Sequence, residues 1–265
     1  DSQRADLLKV LAVNKGAFAT AEEPFGSIQG HEVEVTLTVE KPYPLALRRS
    51  PYPASPRNRV AIEEHVELLT KMGILRKVGS NEGVDITTPV IIAWHNGKSR
   101  LVGDFRALNT YTVPDRYPMP KIVESLTKLH GAKFITCMDV LKGFHQNRVK
   151  ENSRKFLRII SHLGVHEYLR MPFGIKNAPS HFQRMMDSEF RAELSQLWLI
   201  IYIDDIIVFS EEWDDHLQKL SIVLQRVQSM GMKISLTKCS FAFSELKALG
   251  HIVNGLSLGI DQNRV

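Results

Sequence analysis

The sequence predicts an α+β fold, and three observations carry that expectation. Strand-length apolar runs rich in Ile, Leu and Val are bounded by Gly, Pro, Asn or Asp. Amphipathic stretches with apolar residues at helical spacing lie among them. The two kinds of segment follow one another without a regular βαβ rhythm, which argues against a doubly wound sheet. With 265 residues, 43% hydrophobic and 24% charged, the chain suffices for one large domain or two smaller ones.

Taken in order, Leu7, Leu8 and Leu11 give a short helical pattern. The alternation His31-Glu32-Val33-Glu34-Val35-Thr36-Leu37 predicts a strand with one wet face. Prolines 42, 44, 51, 53 and 56 make residues 41–56 an extended wrap or linker. Ser55-Pro56 offers an N-cap and a first-turn proline to a helix with Ile62, Val66 and Leu69 on one face, closed at Gly73. Val90 to Trp94, then Asn96-Gly97, then Arg100 to Val102 reads as strand, tight turn, strand. A helix is expected over 120–130, and a strand from Phe134 ending in the carboxylate of Asp139. A hairpin turning near Leu163-Gly164 follows, then a helix from Pro179 to about Arg191 that buries Phe182, Met186 and Phe190. Leu217, Leu220, Leu224 and Val227 mark a long amphipathic helix stopped by Gly231. Its acidic start (Glu211, Glu212, Asp214, Asp215) suits the positive end of the helix dipole.

Composition narrows the function. A net charge of +5 favours a polyanionic partner, through counterion release at phosphates, though many proteins share such a balance. Cys137 and Cys239 show neither ligand spacing nor a disulfide framework, so a reducing compartment is the default. No apolar run approaches a membrane span, and no membrane partner is expected. The chain starts at Asp1 without Met or a signal peptide, and is expected to be cut from something longer.

The most informative stretch is Tyr202-Ile203-Asp204-Asp205. Two adjacent carboxylates separate two apolar runs, Leu197 to Ile203 and Ile206 to Phe209, so the Asp pair is expected at the tight turn of a hairpin. Their repulsion is relieved by a divalent cation, and hard oxygen ligands suit Mg²⁺. The tetrapeptide alone is equally an ordinary polar turn. Asp139, ending an earlier strand, is the candidate third carboxylate; alone it would be a strand-end cap. Strands far apart in sequence can lie side by side, and three such carboxylates could hold two ions for an in-line phosphoryl transfer.

The surrounding blocks resemble the reverse transcriptases of gypsy-like LTR retrotransposons. In order they are Arg106-Ala107-Leu108-Asn109, Val113 to Pro120, Asp139 with Gly143-Phe144-His145-Gln146, Met171-Pro172-Phe173-Gly174, Asn177-Ala178-Pro179, Phe182-Gln183, Tyr202 to Asp205, and Leu249-Gly250-His251. The likeness runs from about Tyr43 to the C-terminus. It implies a right-hand polymerase: residues 1–40 as lead-in, 41–113 and 147–177 as fingers, and 114–146 and 178–265 as palm, with thumb, connection and RNase H absent from this stretch. It implies RNA-directed DNA polymerase activity, with Asp139, Asp204 and Asp205 as catalytic metal ligands for Mg²⁺, for which Mn²⁺ can substitute. Phe144 falls on the aromatic that excludes a ribose 2′-hydroxyl, and Arg100 on the residue that meets the triphosphate with its planar fork. Lys98 is the weaker basic match, because Ser99 stands where an aromatic is usual. Phe173 and Gly174 match the nucleotide-pocket lining, and Met171 and Pro172 match packing positions. Lys238 matches a lysine that protonates pyrophosphate, and Leu249, Gly250 and His251 match the primer grip.

Two departures from the family pattern stand out. Gly103 replaces a β-branched residue, and since Gly weakens a strand or marks a bulge, a looser hairpin is expected. Ile203 replaces Leu, Met or Val beside the primer end. The partners implied are an RNA or DNA template, a primer strand and dNTPs. The polyprotein neighbours implied are protease, RNase H and integrase. The expected setting is cytoplasmic, in a virus-like particle or in the nucleus. One alternative keeps the fold without the chemistry: an inactive or domesticated copy that binds nucleic acid or scaffolds a partner.

Overall fold

The computed structural model describes residues 1–256 and 258–260. The chain divides into two compact units, one built from residues 30–116 and 144–181, the other from residues 1–29, 117–143 and Phe182 onward. Twelve strands are described: β1 (Leu75–Lys77), β2 (Thr88–His95), β3 (Lys98–Gly103), β4 (Phe134–Asp139), β5 (Arg158–Ser161), β6 (Gly164–Tyr168), β7 (Leu199–Tyr202), β8 (Asp205–Ser210), β9 (Ser240–Phe243), β10 (Glu245–Ala248), β11 (His251–Asn254) and β12 (Leu258–Ile260). Among the described residues no helix is long and apolar enough to cross a membrane.

The unit of residues 30–116 and 144–181 holds a five-stranded sheet, ordered β1-β6-β5-β2-β3. Beside it lies the helix Pro56–Lys71, whose N-cap Ser55 Oγ accepts the N–H of Asn58 at 3.2 Å. That bond satisfies one of the donors every helix start leaves open. Asn96 (φ 49°) and Gly97 (φ 74°) make the left-handed pair that a two-residue hairpin needs between β2 and β3. The expected looseness at Gly103 is absent: six consecutive pairs run from His95↔Lys98 to Val90↔Gly103. A Cβ at Gly103 would stand 2.6 Å from the Phe105 ring, so the glycine makes room for an aromatic that fills its place.

The strand expected over 31–37 does not form. Its alternation is real, since Val33 and Val35 are buried, but only single bridges reach it, Val33↔Val149 and Leu37↔Thr112. Val33 exchanges main-chain bonds with Arg148 and Lys150, while the N–H of Val35 is taken by the Ser153 hydroxyl. With a side chain replacing a ladder partner, no continuous pairing develops.

In the other unit a four-stranded antiparallel sheet, ordered β7-β8-β4-β9, is covered on both faces. Ile135, Ile200, Ile207 and Phe209 pack with Leu126, Leu129 and, from the three-stranded sheet β10-β11-β12, Leu246, Ala248 and Val253. The helix Trp213–Ser229 lies against β8 and buries Leu220, Val223, Leu224 and Val227. Double coverage explains why the β7 and β8 segments read as unbroken apolar runs. The helix expected over 120–130 is shorter, Ile122–Leu126 followed by a 3-10 turn, Thr127–Leu129. The one expected over 179–191 is Ala178–Glu189, with Phe190 starting a separate piece, Arg191–Ser195.

Candidate active site

The end of β4 and the β7–β8 turn meet in one place. Asp139 is the Cα partner of Asp205, and Tyr202 pairs with Asp205 on the other side. The N–H of Val140 donates to the Asp204 carbonyl at 3.0 Å, and the N–H of Ser235 donates to the Asp139 carbonyl at 3.1 Å. Main-chain bonds therefore fix the three acidic positions relative to one another. The Asp pair, expected at the tight turn, lies across its end. Turn positions are Ile203 and Asp204, Asp205 opens β8, and the left-handed residue is Ile203 (φ 55°). For a β-branched residue that conformation costs roughly 1–2 kcal/mol, so something must hold it.

What holds it is Gln183, whose role the Phe182-Gln183 block does not itself reveal. It is fully buried; its Oε1 accepts the Ile203 N–H at 2.7 Å, and its Nε2 donates to the Ile201 carbonyl at 3.0 Å. One amide brackets the turn from both sides. The signal was available: position 183 lies one helical turn before Met186 on a buried face, where an uncharged polar residue needs a partner.

Electrostatics mark the same place. Burial raises the Asp139 carboxyl above its ordinary range, the Asp204 charge raises it further, and Lys238 opposes the shift. Asp204 is likewise raised by burial and opposed by a hydrogen bond from its own backbone and by Lys238. Lys238, at the end of the 3-10 turn Leu236–Lys238, thus places its charge within reach of both carboxylates. Burial pushes the Cys137 thiol up to about 12, with Asp205, Cys239 and Asp139 adding to it, and pushes Cys239 up to about 11. Both thiols are therefore held in the protonated form at neutral pH.

Among the described residues no group of three His, Cys, Asp or Glu side chains forms a ready metal cage. Like charges in half-buried positions repel. The donor set still fits a hard divalent cation, which takes one or two carboxylates and completes its shell with water and substrate phosphates.

The other expected site residues distribute as follows. Leu249 (φ 53°) and Gly250 (φ 79°) form the turn between β10 and β11, and His251 Nδ1 lies 3.0 Å from the Leu249 carbonyl. In the unit of residues 30–116 and 144–181, Lys98 and Arg100 stand two apart on β3, both exposed. Ser99, between them, faces the other way and bonds His65 Nε2 of the helix Pro56–Lys71 at 2.9 Å. Phe144 and Phe173 have ring centroids 5.2 Å apart, and Phe173 is 53% exposed. His145 meets Phe173 edge-on at 5.0 Å and its Nδ1 lies 3.0 Å from the Met171 carbonyl, while Met171 itself is fully buried. Gly174 takes φ 89°, and its carbonyl accepts from Asn109 Nδ2 at 2.9 Å; Asn109 Oδ1 accepts the Lys176 N–H at 2.8 Å. His145 and Asn109 are further supports to which the sequence reading gave no role.

Comparison with known proteins gives one consistent picture. Residues 89–253 match the family model described as reverse transcriptase (RNA-dependent DNA polymerase). The chain is 35% identical over 256 residues to the retrovirus-related Pol polyprotein from transposon opus of Drosophila melanogaster, covering 94% of this chain and 25% of that one. Against the Pol polyprotein from transposon gypsy of the same fly it is 33% identical, covering 96% and 24%. Against the Tf2-3 polyprotein of Schizosaccharomyces pombe it is 31% identical, covering 86% and 16%. The chain thus spans a quarter or less of these curated relatives. In three dimensions it resembles the foamy viral protease-reverse transcriptase solved in complex with an RNA/DNA hybrid, with a TM-score of 0.87 at 22% identity over 99% of this chain and 34% of that one.

Proposed function

The chain belongs to the reverse transcriptase (RNA-dependent DNA polymerase) family, and from that premise we propose that it carries the catalytic core of an RNA-directed DNA polymerase. We read residues 30–116 and 144–181 as the fingers and the other unit as the palm. One observation carries the reading: Asp139 lies opposite Asp205, with Asp204 bonded through its carbonyl to the next residue of the same strand end.

Family members use divalent metal ions. We assign Asp139, Asp204 and Asp205 to hold Mg²⁺, with Mn²⁺ able to substitute. When bound, such ions supply Lewis-acid activation of a hydroxyl and neutralise developing phosphate charge. The remaining work belongs to the chain. Arg100, with Lys98 beside it on an exposed strand face, pairs the incoming triphosphate. Phe144, backed by Phe173, limits the space at the sugar 2′ position, and Gly174 lets the backbone approach the nucleotide. Attack of a primer 3′-hydroxyl on the α-phosphate forms the new ester and releases pyrophosphate. We assign to Lys238, whose charge acts on Asp139 and Asp204, the protonation of the leaving group. The turn at Leu249, Gly250 and His251 presents the primer strand. Template, primer and dNTPs are the substrates; protease, RNase H and integrase are the polyprotein neighbours.

Primer extension tests this directly. Extension of a DNA primer on an RNA template that needs Mg²⁺ or Mn²⁺ and stops with chelator supports the reading. Binding of template-primer without extension would favour the scaffold alternative.

A further inference from the structure

Gln183 uses its whole amide. Besides the bonds to Ile203 and Ile201, its Nε2 donates to Asp187 Oδ1 at 3.0 Å, one helical turn further on. The other carboxylate oxygen, Asp187 Oδ2, accepts from Tyr117 Oη at 2.5 Å. Tyr117 precedes the helix Ile122–Leu126, and the Arg184 guanidinium lies 5.0 Å from the centre of its ring. The chain of bonds therefore runs from Tyr117 through a carboxylate and a fully buried amide to the turn that carries Asp204.

The order of donors and acceptors matters. A primary amide fits its cavity either way round, and only its partners decide which end is oxygen. An ionised carboxylate accepts and never donates. Asp187 and the Ile201 carbonyl therefore together hold nitrogen on one side of the Gln183 amide and leave oxygen for the Ile203 N–H. With the amide reversed, an N–H would face an N–H at the turn and oxygen would face two acceptors. Burial, and then Asp187, push the Tyr117 phenol up to about 12, so it remains a donor under all working conditions.

We propose that Tyr117, Asp187 and Gln183 form a positioning relay that holds Ile203 in its left-handed conformation and thereby sets how Asp204 and Asp205 are presented for nucleotide addition. The proposal rests on the polymerase reading of that site. None of the three touches the reacting atoms; they act through the turn. A small tilt of a catalytic carboxylate is enough to matter, because misplacement of about 1 Å costs on the order of 100-fold in rate.

The test uses the whole chain with Asp187→Asn, Gln183→Glu and the double variant. Each is measured for kcat and KM for a dNTP, for template-primer Kd, for melting temperature, and for hydrogen exchange at the Ile203 amide. Asp187→Asn removes the charged one of the two acceptors that hold the Gln183 amide nitrogen and so loosens its grip on the turn; kcat is expected to fall about tenfold, with KM and template-primer Kd within about twofold and faster exchange at Ile203. Gln183→Glu alone sets a carboxylate against Asp187 and the Ile201 carbonyl, and is expected to fall further. Adding Asp187→Asn supplies a donor to that carboxylate and should recover at least about threefold of the loss. Unchanged kcat in Asp187→Asn overturns the relay. So does a fall in kcat and melting temperature accompanied by a rise in KM and template-primer Kd, which marks a merely structural network. A wild-type chain that incorporates no nucleotide removes the polymerase reading instead; the relay is then decided by exchange at Ile203, and unchanged exchange in Asp187→Asn overturns it.

Discussion

The main-chain N–H of Val140 donates to the carbonyl of Asp204 at 3.0 Å, so the turn itself makes the last rung joining it to the end of β4. The two acidic segments are held together by backbone, and the repulsion between their side chains is imposed on a frame that does not yield. Removing one charge should therefore leave the frame intact.

That predicts a gain in stability from loss of a catalytic charge. The Asp139 and Asp204 carboxyls are raised in the fold, chiefly by burial. A raised carboxyl binds its proton more tightly folded than unfolded. Its favourable contribution is complete below the unfolded carboxylate range and is lost as pH rises through the folded value. At pH 7 without divalent cation, Asp204→Asn should melt a few degrees higher than wild type, and added Mn²⁺ should raise the wild type more than the variant. Calorimetry at pH 4 and pH 7 checks both; equal melting temperatures at pH 7 would contradict it.

His216 predicts an acid-side loss. It is fully buried, with Nε2 2.7 Å from Thr136 Oγ1 and Nδ1 3.0 Å from Ser210 Oγ, and burial lowers it to about 4. A lowered histidine destabilises the fold once the unfolded chain takes up its proton. The loss begins as pH falls through 6.5 and levels off below about 4, reaching roughly 3 kcal/mol. Urea titrations at pH 7 and pH 5 should differ in wild type and differ less in His216→Gln.

Gly103→Val tests the filled hairpin. The added side chain meets the Phe105 ring at its first carbon and should cost about 1–3 kcal/mol by overpacking. Phe105→Leu on the same background should recover part of that loss, measured by thermal unfolding. An undiminished melting temperature in the single variant would show that the ring moves freely.

Phe144→Ala tests the sugar gate. Discrimination between a dNTP and the matching rNTP should fall by on the order of 10–100-fold, read from the two kcat/KM values. Unchanged discrimination would assign Phe144 to packing against Phe173 alone.

These residues also show what the sequence makes legible. Hairpin β2–β3, strand β4 and the β7–β8 pair could be read from periodicity, because Asn96-Gly97 states its own turn and a doubly covered strand writes a continuous apolar run. The 31–37 segment misled, because alternation records which side chains are buried and not whether the backbone finds a ladder. At the site, the three acids were legible as a pattern of blocks. The left-handed Ile203 was not, since a β-branched residue takes that conformation only when a distant side chain supports it, and Gln183 lies 20 residues away.

On the polymerase reading, Asp139, Asp204 and Asp205 together make one metal-dependent nucleotidyl-transfer site. Single-nucleotide extension of a DNA primer on an RNA template, with wild type, Asp139→Asn and Asp204→Asn at matched template-primer occupancy, tests it most directly. Incorporation by wild type is expected to depend on Mg²⁺ or Mn²⁺ and to fall on the order of 1,000-fold in each variant, with template-primer Kd unchanged. Equal incorporation by wild type and either variant would contradict it.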